Sequence, residues 1–221
     1  MWCWALWIAQ QGFMMNKLFI WSFLLSLCIC IDLVVTDPIC TDPICQDTDI
    51  LDQEQIVFLF DCVLLKTKKS FEKMVHASIV VMNDADIAQY NQQFRQKNQP
   101  TNVLAFGTVE RNELWPVWPD HPILLGDIFI SWPRVIAEAH AQGKTLHHHA
   151  MHLLIHGFLH LLHYDHETDA QAQEMEAIER SIFQQFGWPD PYADDHFGAE
   201  DLANLPVNTP FGSQKASHAN H

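Results

Sequence analysis

Eight of the fourteen histidines in this 221-residue chain crowd into one stretch: His147, His148, His149, His152, His156, His160, His163 and His166. Imidazole is both a metal ligand and a proton carrier near neutral pH, so such a cluster invites a metal or acid–base reading. His152, His156 and His160 recur every four residues and stand in one row if the stretch is helical. His166 follows His163-Tyr164-Asp165, a segment able to turn the chain back toward that row. The set His156, His160 and His166 puts two imidazoles one helical turn apart and takes a third from the following loop. That arrangement suits one tetrahedral zinc ion with a fourth position left for water. Spacing alone leaves open a shifted trio that uses His152 or His163. His147 to His149 read as a solvated helix start, and His196, His218 and His221 as solvated residues of a tail.

In the metalloprotease pattern H-E-x-x-H, the residue after the first histidine is the general base. Here that position in HGFLH is Gly157, so a peptidase mechanism lacks its base. A metal can acidify its own water to about neutral pKa, and hydrolysis then needs a second group to offset charge on the substrate. Arg95, near the end of an expected helix, is the candidate for that role.

Positioning these residues requires helices and strands that the hydrophobic pattern supplies. Leu51–Thr67 and Asp84–Lys97 read as helices. ICIDLVV (Ile29–Val35), Val75–Asp84, Thr101–Val109 and Ile123–Ser131 read as strands. Lys144–Leu162 is expected to be the histidine-bearing helix, and Glu167–Phe186 an acidic amphipathic one. The pattern predicts an α/β or α+β sandwich, a mixed β-sheet with helices, in which the metal-site helix is followed by a turn and a C-terminal helix. It leaves the strand order undetermined, and the spacing is too irregular for repeats.

The formal charge of -15 argues against broad nucleic-acid binding and against DNA as a partner, because such binding rests on a basic face that displaces counterions. The uncharged run Leu18–Ile31 is shorter than the roughly 20 residues needed to span a bilayer, and no clear cleavage site follows it. Residues 1–28 therefore read as a hydrophobic extension or an upstream start, 29–192 as the folded domain and 193–221 as a tail. The six cysteines form no Cys-x-x-Cys pairs, which favours a reducing compartment, and the shortness of the apolar run argues against stable membrane association.

HGFLHLLHYDH (His156–His166) resembles the HGxLHLxGYDH signature of the YbeY family of metal-dependent endoribonucleases and rRNA maturation factors. QQFRQKNQPTNVLAF (Gln92–Phe106) is similar to that family's YRxKxxPTNVLSF segment, and LGDIFIS (Leu125–Ser131) to its LGDIxIS. The resemblance implies a single-domain α+β protein with Zn2+ held by His156, His160 and His166. It also implies a single-strand-specific endoribonuclease that matures the 3' end of small-subunit rRNA and takes part in ribosome quality control. Its partners would be single-stranded RNA and the small ribosomal subunit or its rRNA precursor. The family arginine carries over to Arg95 as a phosphate contact; Tyr164 and Asp165 carry over as parts of the motif, and Asp127 and Asn102 are expected to support strand ends or the cleft. Two departures stand out: His163 occupies the family glycine position, where unusual backbone angles are expected, and Ala105 and Gly107 replace serine and proline. The rival readings are a zinc-dependent hydrolase of peptides or small molecules and a non-catalytic, zinc-stabilised ribosome-assembly factor.

Overall fold

Successive residues of a strand point to opposite faces of a sheet, and the two faces here carry different helices. The computed structural model describes residues 29–36, 51–110 and 113–193. Its strands are β1 (Ile29–Val35), β2 (Val75–Met82), β3 (Val103–Gly107) and β4 (Ile123–Ser131), joined in the order β1-β2-β4-β3. β1, β2 and β4 run parallel and β3 pairs antiparallel with β4, so the sheet is mixed, as expected. On one face Ile31, Ala77, Ile79, Val81, Ile128 and Ile130 join the main core. Helices α1 (Gln53–Thr67), α4 (Leu146–Leu161) and α5 (Asp169–Phe186) contribute the rest, and the Phe60 and Phe158 rings stack at 4.0 Å between α1 and α4. On the other face α2 (Asp84–Arg95) lays Ile87 over Met82 and Leu104. The α+β class is the expected one.

Helix starts follow side-chain caps. Asp52 accepts from the Glu54 amide at 3.1 Å and Asn83 from the Asp86 amide at 2.9 Å. Thr145 accepts from the His148 amide, and Thr168 with Gln171 forms a capping box on α5. The expected strand Val75–Asp84 stops at Met82 because Asn83 already caps α2. That helix in turn stops at Arg95, two residues early, where Gln96 turns left-handed at φ 58°.

The pattern gave no sign of α3 (Trp132–Ala141). It starts directly on the last residue of β4, so one apolar run passes from strand to helix without a turn to separate them. Its N-cap, Ser131, donates its hydroxyl to the Asp84 carboxylate and accepts from no amide of the helix, while Arg134 reaches the same carboxylate at 3.0 Å.

Two glycines permit close approach. At Gly126, with φ 144°, a Cβ would lie 2.0 Å from the Phe106 carbonyl oxygen, beside the register shift between His76 and Ala77. At Gly157 a Cβ would lie 2.9 Å from Cγ2 of Ile128, so α4 rests on the sheet at this residue. Gly157→Ala is expected to cost about 1–3 kcal/mol, read as a lower urea midpoint, because the β-branched Ile128 has little room to yield.

Asp61 on α1 is buried and its Oδ1 has no hydrogen-bond partner. Burial pushes its carboxyl up to about 7 from an ordinary 3.8. Between these values the folded chain keeps a proton that the unfolded chain releases, so stability falls as pH rises through this window and the penalty is complete above it. Asp61→Asn, which mimics the protonated acid, is expected to raise the thermal midpoint at pH ~8 by roughly 2–4 °C. The gain should vanish near pH ~4, below which Asp61 is protonated in the folded and the unfolded wild-type chain alike; a gain of equal size at both pH values would refute this origin.

No helix among the described residues is long and apolar enough to cross a membrane. The expected extension 1–28 and nearly all of the expected tail lie outside the described residues.

Candidate metal centre

The four-residue spacing places His156 and His160 on the same side of α4, their ring centroids 4.7 Å apart. α4 ends at Leu161, and His163 adopts φ 70° while the Tyr164 amide bonds back to the Leu159 carbonyl. This left-handed step returns the chain, and Asp165 fixes the next residue by accepting from the His166 amide at 2.8 Å. The His166 ring then lies 5.3 Å from that of His156 and 5.1 Å from that of His160. One nitrogen from each of the three lies within 4.8 Å of the others. The shifted trios are not formed: His152 turns to Glu179 at 3.2 Å, and His163 stacks on Trp115 with ring centroids 4.4 Å apart.

The hydrogen bonds behind the trio fix its proton positions. His156 Nδ1 donates to Glu179 Oε1 at 3.1 Å, and His160 Nδ1 donates to the Tyr164 carbonyl at 3.1 Å. Both partners only accept, so both Nδ1 atoms carry the proton and both Nε2 atoms present lone pairs. Those two Nε2 atoms face each other at 3.1 Å. Lone pairs opposed at this distance repel unless a cation lies between them. The donor set therefore fits a metal ion, and three neutral imidazoles are a zinc-type set with room for a further ligand. Burial, and then the neighbouring His156 and His166, push the His160 imidazole down to about 4 against the pull of Asp165 and the Tyr164 carbonyl. Its neutral, ligating form thus prevails at ordinary pH.

Glu179 is fully buried, yet it stays ionised. Burial alone would raise its carboxyl, but hydrogen bonds from His152 and His156, the charge interaction with His152 and the Tyr192 hydroxyl together hold it at about 2. Sequence reasoning passed over this residue as one more acid on an acidic helix. The legible signal was its place: Met175, Glu179, Ile182 and Phe183 share the buried face of α5, so a carboxylate stands among core residues at helical spacing.

The other candidates sit apart. Arg95 is the last residue of α2, exposed, on the sheet face away from α4; among the described residues no hydrogen bond or ion pair joins it to the three histidines. Asn102 supports a strand end by accepting from the Val103 amide at 2.8 Å and donating to Glu138 at 3.0 Å. Asp127 is exposed on β4, opposite Phe106. His147 to His149 are not a solvated helix start. His149 is buried at 3.0 Å from Glu138, His147 lies 2.9 Å from Gln55 and His148 packs near Trp188, because α1 and the end of α5 close over the first turn of α4. At His163 the left-handed backbone expected of a glycine is retained, and the stack on Trp115 offsets part of its strain.

Residues 44–187 match the family model described as Endoribonuclease YbeY. A protein named Endoribonuclease YbeY from Paramagnetospirillum magneticum is 46% identical over 121 residues, covering 55% of this chain and 73% of the relative. One of the same name from Rhodopseudomonas palustris is 38% identical over 151 residues, covering 65% of this chain and 87% of the relative. The solution structure of TM1509 from Thermotoga maritima aligns with a TM-score of 0.45 at 21% identity, over 74% of this chain and 99% of that one. The model match spans more than half of the sequence and carries the three clustered histidines within it, and on that ground the chain belongs to the Endoribonuclease YbeY family.

Proposed function

We propose that this chain is a zinc-dependent, single-strand-specific endoribonuclease that matures the 3' end of small-subunit rRNA in the cytoplasm and contributes to ribosome quality control. The observation that carries the reading is the pair of opposed Nε2 lone pairs on His156 and His160, with His166 closing the set. When bound, the metal supplies Lewis-acid polarisation of the scissile phosphodiester and an acidified water. The chain's own residues hold the geometry: Glu179 and the Tyr164 carbonyl fix the tautomer and tilt of two imidazoles, and Asp165 fixes the loop that delivers His166.

Arg95 is assigned to the phosphate backbone, where a guanidinium can contact two oxygens at once. It stands on the far face of the sheet from α4, and β3 is an edge strand of that sheet, so this role requires the RNA strand to turn round the sheet edge. Arg95→Ala is expected to leave metal content unchanged and to lower cleavage of single-stranded RNA by about 10²-fold, with lysine a poor rescue. Equal cleavage by the variant would remove Arg95 from the site.

The peptidase alternative fails on Gly157, which faces Ile128 rather than the histidines, so a glutamate there would be driven into the sheet. The assembly-factor alternative is separated by chelation of the full chain. Loss of RNA cleavage with a retained fold supports catalysis, whereas unfolding of a protein that cleaves in neither state supports a structural metal.

A further inference from the structure

A second group of unlike ligands lies on the opposite face of the sheet, away from the histidine trio. β1 and β2 run parallel with Cys30 opposite His76, and Asp32 follows two residues along β1 on the same face. The His76 imidazole leans along the strand to place Nε2 3.0 Å from Asp32 Oδ2. Cys30 is a free thiol, and one ligand atom from each of the three lies within 4.8 Å of the others. The alternate residues Ile29, Ile31, Val75 and Ala77 are buried in the main core, so register alone sends all three polar groups outward together.

From these residues we propose a second divalent-metal site, formed by Cys30, Asp32 and His76. A tetrahedral ion with bonds of about 2.0–2.3 Å holds its ligand atoms about 3.3–3.6 Å apart, so small side-chain rotations bring the three atoms to bonding distance. One thiolate, one carboxylate and a neutral imidazole sum to a charge of about −2, which a divalent ion neutralises. Sulfur with nitrogen selects a borderline ion such as Zn2+ over Mg2+ or Ca2+, which take oxygen ligands. Asp32 has 65% of its side-chain surface exposed, which leaves the fourth position to water. Binding releases the thiol proton and clips the edge strand β1 to β2. The three residues come from strands 44 to 46 positions apart in sequence, and the clip is independent of the RNA-cleaving trio.

Cobalt titration of the reduced full-length chain tests this, because a thiolate-to-cobalt charge-transfer band requires a cysteine ligand and the histidine trio has none. The expected result is a near-ultraviolet band that saturates by about two equivalents in total, one for the histidine trio and one for this site, disappears in Cys30→Ser and persists in Cys62→Ser. His76→Ala and Asp32→Asn should weaken the cobalt affinity of the band by at least about tenfold, with circular dichroism confirming that each variant is folded. No band in the wild-type chain overturns the site. So does a band that survives Cys30→Ser, or one that keeps its full affinity in a folded His76→Ala or Asp32→Asn chain.

Discussion

His160→Ala is expected to lower zinc affinity by more than about a hundredfold and to reduce RNA cleavage to background. Removing an orienting partner of a ligand already costs about 10–100-fold, and removing the ligand itself costs more. His160 is the central member of the trio: its Nε2 faces that of His156, and its ring lies within about 5 Å of both others. The same substitution removes the opposed lone pairs, so the metal-free chain should lose little stability or gain some. Metal analysis on the purified variant, paired with cleavage of single-stranded RNA and a thermal melt in chelator, reads all three outcomes. A variant that keeps its metal and its cleavage would break the assignment of the centre.

Glu179→Leu is expected to be the most destabilising single change around the site, costing about 3–5 kcal/mol. The carboxylate accepts from His152, His156 and Tyr192 in a fully buried position, and leucine leaves three donors without an acceptor. In a chain of this size the thermal midpoint should fall by roughly 10 °C. Glu179→Gln preserves the shape and one acceptor but turns an amide N–H₂ toward groups that also donate, so it should recover only part of the stability. Because the His156 tautomer depends on this carboxylate, zinc affinity should also fall by about 10–100-fold in the glutamine variant. A glutamine variant with wild-type metal affinity would show that the tautomer is set by something other than Glu179.

The family motif and the helical spacing made the candidate ligands legible in the sequence. A four-residue repeat fixes two imidazoles on one side of a helix whatever the helix packs against, and a short loop limits where His166 can go. Among the described residues the same local logic located all four strands and four of the five helices to within a few residues, since caps such as Asp52, Asn83, Thr145 and Thr168 act on their own next turn. Where a boundary had no local punctuation, as from β4 into α3, the pattern was silent. Where a residue's environment is made by another element, it misled: His147 to His149 carry the composition of a solvated helix start, and only Gln55, Glu138 and Trp188, distant in sequence, make them part of the packed interior.

By itself, then, the sequence determined the elements, the row of histidines, the exclusion of a metalloprotease base at Gly157 and the family resemblance, all of which rest on residues close along the chain. The tertiary structure alone decided the strand order, the turning of His152 and His163 away from the candidate trio, the contacts of Glu179 and the meeting of Cys30, Asp32 and His76. Each of these depends on groups from separate elements arriving within a few ångströms of one another, and periodicity sets which way a side chain points without setting what it meets.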